Sequence, residues 1–229
     1  MQRWLKKKEV RLIAFSLMFF ACLIALFTYF SRAESEILAD IVAPLGKAEV
    51  ARFKFTVAEW REIPNTREVT LMGATRQRDI LSDGRIRIQD DTNNRCLLLD
   101  PKTQLAEFVP VDSVDSILTP RVLFERVARM RHAAEGGGAR AIGAEGDTVG
   151  FHVQEEGVQW LVWADSFTHA IRSIEVIRRK PVASRTTIFD LQLDPDVDEA
   201  DFSLNLPPGY RLRGEPATQD PHRVSSLSQ

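Results

Sequence analysis

The sequence predicts an α+β protein that is built mainly on one large antiparallel sheet. Three observations indicate this class. From about residue 50 onward, short segments alternate apolar and polar side chains, the two-residue period of a strand with one buried face. Turn sequences rich in Gly, Asp, Asn and Pro separate these segments at intervals of roughly ten residues. Outside the N-terminal apolar run, only two segments have the periodicity and end signals of helices.

The N-terminal segment predicts a membrane anchor. Residues 1–11 are rich in Lys and Arg, and residues 12–30 contain no charged side chain. A helix of that length spans about 28 Å, close to the thickness of a bilayer's hydrocarbon core. The basic flank predicts a cytoplasmic N-terminus, one transmembrane helix in the cytoplasmic (inner) membrane, and an extracytoplasmic domain. The alternative is a cleaved signal peptide and a soluble periplasmic protein, because Ser31-Arg32-Ala33 has small residues at a spacing that suits cleavage.

A short helix and a first group of strands follow the anchor. Ile37, Leu38, Ile41 and Val42 form one apolar stripe, which predicts an amphipathic helix over residues 34–43. Pro44 ends this helix. Alternating or apolar segments then predict strands over residues 50–57, 69–78, 85–89, 95–99 and 104–109.

A second helix divides the predicted sheet. Thr119 is suited to cap it and Pro120 to its first position, so the helix is expected over residues 119–134, ended by the glycines at 136–138. Two tight hairpins follow over residues 148–178, and their central strand, residues 158–163, is apolar on both faces. A further strand is predicted over residues 185–193. The polar tail over residues 213–229 is expected to be disordered.

Composition and motif spacing exclude several classes of function. The formal net charge is -2, and because residues 1–33 are strongly basic, the remainder is acidic and predicts no nucleic-acid partner. The histidines lack the spacing of a metal motif, and the acidic run at residues 194–201 lacks the Gly and Glu of a calcium loop. No nucleophile elbow or phosphate loop is present. We therefore expect no catalytic residue, no metal and no cofactor, and interpret the chain as non-enzymatic.

Nine apolar residues are the candidate contacts of a ligand cavity on the concave face of the predicted sheet. They are Phe53, Phe55, Val57, Ile86, Ile88, Val149, Phe151, Val153 and Trp160. The alternative is that each of them only fills a core, which is the usual role of such side chains. The case for a cavity is collective. A long sheet has one concave face, and two modest helices that cover it incompletely would leave an apolar groove.

Three passages carry a resemblance to a known family. They are Arg78-Asp79-Ile80 with Asp83-Gly84, Ile88, Asp90 and Leu98-Leu99-Asp100-Pro101-Lys102; Gly150-Phe151, Val153, Val162-Trp163, Asp165, Thr168 and Ile174-Glu175; and Phe189, Asp201-Phe202-Ser203-Leu204, Pro207 and Gly209-Tyr210. In order and spacing the chain resembles the LolA/LolB-like proteins, which include lipoprotein carriers and RseB-like envelope sensors. The resemblance covers about residues 34–212.

The resemblance implies both a fold and a function. It implies an incomplete, curved antiparallel barrel of about ten strands, with helices covering its concave face and a hydrophobic cavity for acyl chains. The expected function is non-enzymatic binding of lipid, acyl chains or lipoprotein in the cell envelope. The alternative is an RseB-like regulatory or envelope-stress sensing module that acts through contact with an envelope or signalling protein. The resemblance implies no catalytic residue.

Overall fold

One large sheet dominates the structure, a computed structural model that describes residues 18–20, 22–23, 34–59, 64–111, 120–135, 139–155, 158–178 and 183–214. The strands of the described residues are β1 (Val50–Glu59), β2 (Asn65–Met72), β3 (Arg76–Ile80), β4 (Ile86–Asp90), β5 (Arg95–Asp100), β6 (Leu105–Pro110), β7 (Ala139–Glu145), β8 (Thr148–Glu155), β9 (Val158–Asp165), β10 (Ile171–Arg178), β11 (Ser184–Leu193) and β12 (Arg211–Leu212). Two helices accompany them, α1 over residues 34–42 and α2 over Pro120–Glu135. A 3-10 turn, Ala43–Gly46, continues α1.

The strands form two meanders that are joined into one sheet. Their order across the sheet is β12-β6-β5-β4-β3-β2-β1-β11-β10-β9-β8-β7. Neighbours are antiparallel, except that β12 pairs in parallel with β6. The chain therefore forms β1 to β6 before α2 and β7 to β11 after it, and the pairing of β1 with β11 joins these two halves. The last strand, β12, returns to the edge beside β6. The predicted α+β class, with a large antiparallel sheet and few helices, is confirmed, and the sheet is not closed on itself within the described residues.

Two strand predictions were wrong. The segment predicted as one strand over residues 69–78 is a hairpin, because the chain turns at residues 73–75 between β2 and β3. Gly73 has a positive φ of 56°, a conformation that glycine adopts without steric cost. Strand β7 was not predicted, since its sequence of small residues, Ala139–Glu145, has little apolar alternation.

Most of the predicted anchor lies outside the described residues. Of residues 12–30, the structure describes 18–20 and 22–23, which are helical. In the described part of the chain, no helix is long and apolar enough to cross a membrane. The predicted disordered tail also lies outside the described residues, except for positions 213 and 214.

The pairing register divides the sheet into two faces. Phe53 pairs with Val69, whereas the adjacent Arg52 pairs with Thr70, so these two pairs point to opposite sides. Phe53 stacks on Phe124 of α2, with the ring centroids 6.0 Å apart, and we call this side the helix face. The opposite side is the outer face. The main hydrophobic core lies on the helix face, between the sheet and both helices.

A second, smaller core lies on the outer face. Ile88 pairs with Arg78, and Arg78 pairs with Thr70, so Ile88 points away from the helices. Ile88 packs with Leu97, Leu99 and Ala106, and with the partly buried Ile86, Leu204, Tyr210 and Leu212. The expectation that Ile86 and Ile88 share a face with Phe53 is therefore wrong. A two-residue period separates two faces but does not say which of them the helices cover, and here the C-terminal segment covers the other.

A close contact on the outer face requires glycine at position 150 of β8. Gly150 lies opposite Trp163 of β9, and a Cβ built on Gly150 would lie 2.6 Å from the Trp163 ring. The indole therefore covers the glycine backbone, an arrangement that packs an aromatic side chain where a glycine offers none.

Gly150→Ala should destabilise the fold by about 1–3 kcal/mol, because the indole ring has to leave its position. Gly46→Ala is the matched control. A Cβ on Gly46 meets nothing within 4 Å, so that change should be neutral or slightly stabilising. Urea unfolding of both variants measures the difference. Equal stabilities of the two variants would contradict the close packing of Trp163 on Gly150.

Candidate functional site

The candidate site is the apolar layer between the helices and the second half of the sheet. Seven of the nine predicted contact residues lie on the helix face and belong to or pack against its core: Phe53, Phe55, Val57, Val149, Phe151, Val153 and Trp160. Phe55, Phe151 and Trp160 are fully buried or nearly so. The structure therefore brings these seven together and separates them from Ile86 and Ile88.

Two rows of paired residues cross this part of the sheet on the helix face. One row runs through Phe55, Ile188, Ile174, Val162 and Phe151. The next runs through Val57, Thr186, Val176, Trp160 and Val153. Side chains in such rows are cross-strand neighbours, so each row is a continuous strip of contacts about five strands wide. Thr186 is the one residue of these rows without an apolar side chain.

The helices contribute the other side of the layer. Leu38, Ile41 and Val42 of α1, Leu45 of the 3-10 turn, and Val127 and Met130 of α2 are buried against the sheet. Phe124 of α2 packs against them and stacks on Phe53. Contacts of this kind are non-directional and proportional to area, so helix and sheet can exchange them for contacts with another apolar surface.

Polar ties hold the helices at two distant strands. Arg121 of α2 donates to the carbonyl oxygens of Gly73 and Arg76, at 2.9 and 2.6 Å, and its Nε lies 3.5 Å from an Asp91 carboxylate oxygen. Burial lowers the Arg121 pKa from its usual value, and Asp91 opposes this shift. At the other side, the Glu34 carboxylate accepts a hydrogen bond of 3.1 Å from the Ala141 N–H of β7. We call α1, the 3-10 turn and α2 together the helical cover.

In the two cross-strand rows beneath the helical cover, two buried polar atoms have no hydrogen-bond partner among the residues that the structure describes. They are Nε1 of Trp160 and Oγ1 of Thr186, and both residues are 0% exposed. Such groups are rare in native structures because an unmade hydrogen bond in an apolar interior costs about 1–3 kcal/mol. A water molecule or a ligand atom is the usual partner of such a group. The sequence predicted Trp160 as a contact residue but gave no reason to single out Thr186.

Sequence reasoning missed a buried polar cluster on the helix face of β2, β3 and β4. Asp79 is 0% exposed, ion-paired with Arg87, and accepts a hydrogen bond of 2.9 Å from Gln77. Arg67 lies 3.7 Å from Asp79 and stacks over the Phe55 ring at 4.7 Å, so the cluster borders the apolar layer. One signal could have revealed it: Asp79 directly follows the predicted strand over residues 69–78, and Arg87, in the next predicted strand, carries the opposite charge.

An exposed aromatic side chain marks the turn between β9 and β10. Phe167 is 83% exposed. The turn beneath it is held by the Asp165 carboxylate, which accepts hydrogen bonds from the backbone N–H groups of Phe167 and Thr168 and from Arg172. The Arg172 hydrogen bond, followed by those from Thr168 and Phe167, holds the Asp165 pKa far below its usual value. An apolar ring is thus displayed on a turn that three hydrogen bonds to Asp165 hold in place.

The lowered Asp165 pKa gives a pH-dependent prediction. A carboxylate whose folded pKa is lowered stabilises the fold fully above its usual pKa of about 3.9, and this stabilisation is lost as the pH falls through the lowered folded value. Asp165→Asn should therefore lower the Tm at neutral pH, and the difference from wild type should shrink as the solution is made strongly acidic. The exposed Asp196, replaced by Asn, is the control. A Tm difference that does not change with pH would contradict this account of the turn.

Groups with other chemistry are sparse in the described part of the chain. No group of three or more His, Cys, Asp or Glu side chains there could hold a metal ion. Cys96 is buried, and burial raises the pKa of its thiol to about 11, which keeps it a thiol at neutral pH. The non-enzymatic interpretation stays a prediction.

Comparison with known proteins gives matches to solved structures alone. No protein-family model and no curated protein matches the sequence. The MucA/MucB complex of Pseudomonas aeruginosa matches 73% of this chain at 12% identity and a TM-score of 0.41, and the match covers 61% of that chain. A conserved protein of Thermus thermophilus matches 76% of this chain and 96% of its own, at 12% identity and a TM-score of 0.40. A LolA superfamily protein of Nitrosomonas europaea matches 72% of this chain and 96% of its own, at 10% identity and a TM-score of 0.32.

The resemblance predicted from the sequence is thus met again among solved structures, which include MucB and a LolA superfamily protein. The chain spans about three fifths of the MucB chains that it matches. Identities and TM-scores this low say nothing about ligand or partner.

Proposed function

We propose that this protein binds a lipid, an acyl chain or a lipidated protein between the helical cover and the sheet. The observation that carries the proposal is a pair of buried polar atoms, Trp160 Nε1 and Thr186 Oγ1, which have no hydrogen-bond partner in the described part of the chain and lie in an otherwise apolar layer. A core packed for stability alone gains nothing from two buried groups without partners. In this proposal the open sheet curves as a half-barrel around the helical cover, which moves outward to admit the ligand.

The energetics of the apolar layer suit such a ligand. Burying one methylene contributes about 0.8 kcal/mol, so about eight methylenes contribute roughly 6 kcal/mol before the costs of ordering. An acyl chain that enters the layer would replace apolar contacts between the helical cover and the sheet with apolar contacts between the chain and each of them. The hydrogen bonds of Glu34 and Arg121 can keep the first residues of α1 and α2 attached to the sheet while the rest of each helix moves outward.

Native mass spectrometry of the full chain, followed by lipid extraction, tests the proposal. We expect a mass excess that extraction removes, and tighter binding of a fluorescent fatty-acyl probe after extraction than before. A chain that carries no lipid and binds no such probe would exclude the proposal. The regulatory alternative would then be favoured.

The second candidate function is regulation through contact with another envelope protein. The exposure of Phe167 on a hydrogen-bonded turn favours it, because aromatic side chains are frequent anchors of protein interfaces. We therefore propose that Phe167 is the contact with a protein partner of this chain. Partner co-purification should be lost in Phe167→Ser and kept in Leu206→Ser, a change at a less exposed apolar residue. Equal recovery from both variants would exclude the turn as the contact.

We also propose that residues 12–30 anchor the chain in the inner membrane, with the sheet domain over residues 34–212 on the extracytoplasmic side. The uncharged run behind a basic flank supports this. After an alkaline wash the full-length chain should stay with the membranes. Complete release of an N-terminally shortened protein would instead identify the segment as a cleaved signal peptide.

A further inference from the structure

We propose that the site recognises an acyl group by its carbonyl oxygen, with Trp160 Nε1 and Thr186 Oγ1 as the hydrogen-bond donors. The ligand class is then a fatty-acyl ester or amide, as distinct from a plain hydrocarbon or a free fatty acid. This inference rests on the proposed function and names the chemistry of its ligand. Nothing in the fold alone requires the two polar groups to be where they are.

The strand register places the two donor residues, Trp160 and Thr186, in one row across the sheet. Trp160 pairs with Val176, and Val176 pairs with Thr186, so the three residues form one row across β9, β10 and β11 on the helix face. Neighbouring strands lie about 4.8 Å apart, which puts the Cα atoms of Trp160 and Thr186 about 10 Å from each other. The indole of Trp160 and the hydroxyl of Thr186 are therefore carried by the two residues that flank the buried Val176 in this row.

The chemistry of the two groups selects an acceptor. The indole N–H can only donate, and the hydroxyl can donate or accept. A carbonyl oxygen has two lone pairs, so one atom can satisfy both donors. Beyond the two donors, the cross-strand neighbours in this row and the next are Val, Ile and Phe. The nearest cation in register is Arg67, which lies opposite Phe55, three strands from Val176, and is already close to Asp79. Burying a carboxylate beside Val176 would therefore be costly, whereas a neutral ester or amide is not charged.

The test compares two probes and three variants of the full chain. Methyl palmitate and the n-alkane with the same number of heavy atoms each displace a fluorescent fatty-acyl probe from the lipid-extracted protein. The variants are Thr186→Val, which removes only the hydroxyl, Trp160→Phe, which removes the indole N–H, and the control Thr187→Val, a change on the outer face of the same strand. We expect Thr186→Val and Trp160→Phe each to lower the ratio of methyl palmitate affinity to alkane affinity about fivefold, and Thr187→Val to leave that ratio unchanged.

Stability measurements separate this role from a structural one. Because the Thr186 hydroxyl has no hydrogen-bond partner among the residues that the structure describes, Thr186→Val should leave the Tm unchanged or raise it. A lower Tm for Thr186→Val would mean that the hydroxyl supports the fold, and would overturn the inference. Equal binding of methyl palmitate to wild type and both variants would also overturn it, since a buried water molecule would then serve the donors. If the alkane still binds, the proposed function stands although the carbonyl inference fails. If neither methyl palmitate nor the alkane binds, the proposed function and the carbonyl inference are both excluded.

Discussion

Asp79→Asn should lower the free energy of unfolding by about 3–5 kcal/mol, the largest effect that we expect from a single polar substitution. Asp79 is completely buried and pairs with Arg87, which is itself only 8% exposed. A neutral amide at this position leaves the Arg87 guanidinium buried beside a partner that no longer carries charge. Removing one member of a buried ion pair is costly because the other keeps its desolvation penalty. Urea unfolding at neutral pH measures the loss.

Asp83→Asn is the control for this prediction. Asp83 is paired with Arg85 by a contact of 2.7 Å, but its side chain is 48% exposed, so the loss should stay within about 0.5 kcal/mol. The double variant Asp79→Asn/Arg87→Gln should be less destabilised than the sum of its single variants, because the uncompensated charge is then absent. Additive effects, or a loss near that of Asp83→Asn, would show that the Asp79 pair is not the centre of the buried cluster.

Phe53→Ala should cost about 3–5 kcal/mol and should loosen the helical cover at the same time. Phe53 is 1% exposed and stacks on Phe124 of α2, so its truncation removes core volume and the ring contact between cover and sheet. Urea unfolding gives the first effect, and faster hydrogen exchange of the α2 amides gives the second.

Phe167→Ala is the matched control, because it makes the same chemical change at a ring that is 83% exposed. Its stability should differ from wild type by less than about 0.5 kcal/mol. If Phe53→Ala destabilised the protein but left hydrogen exchange in α2 unchanged, the stacked rings would not be what joins the helical cover to the sheet.

The sequence was sufficient to predict most strands and both helices, but not which face of each strand packs against the helices. Alternation identified β1, β4, β8 and most other strands, and the capping and stop signals placed both helices within one or two residues. Local periodicity is a property of the chain itself, so it can be predicted. Which face of a strand meets the helices depends on the pairing of distant strands, and this is why Ile86 and Ile88 were assigned to the wrong side.

The candidate site could likewise be predicted only in part. The placement of seven residues in the apolar layer could be predicted, because each lies on the apolar side of its strand. Thr186 could not, since nothing in the local sequence shows that it stands between Val57 and Val176 beneath the helices. The cluster around Asp79 was missed for a related reason. Polar residues in alternation are ordinarily exposed, and only the tertiary structure shows that Arg87 and Gln89 face inward.

Photo-crosslinking with a fatty-acyl ester that carries a diazirine on its chain tests the central claim most directly. After irradiation of the full chain, mass spectrometry of its peptides locates the label. A ligand between the helical cover and the sheet predicts labelling of helix-face residues such as Phe151 and Ile188, together with Phe124 of α2. Labelling confined to the outer face, at Leu161, Trp163 or Phe189, or no labelling at all, would contradict it.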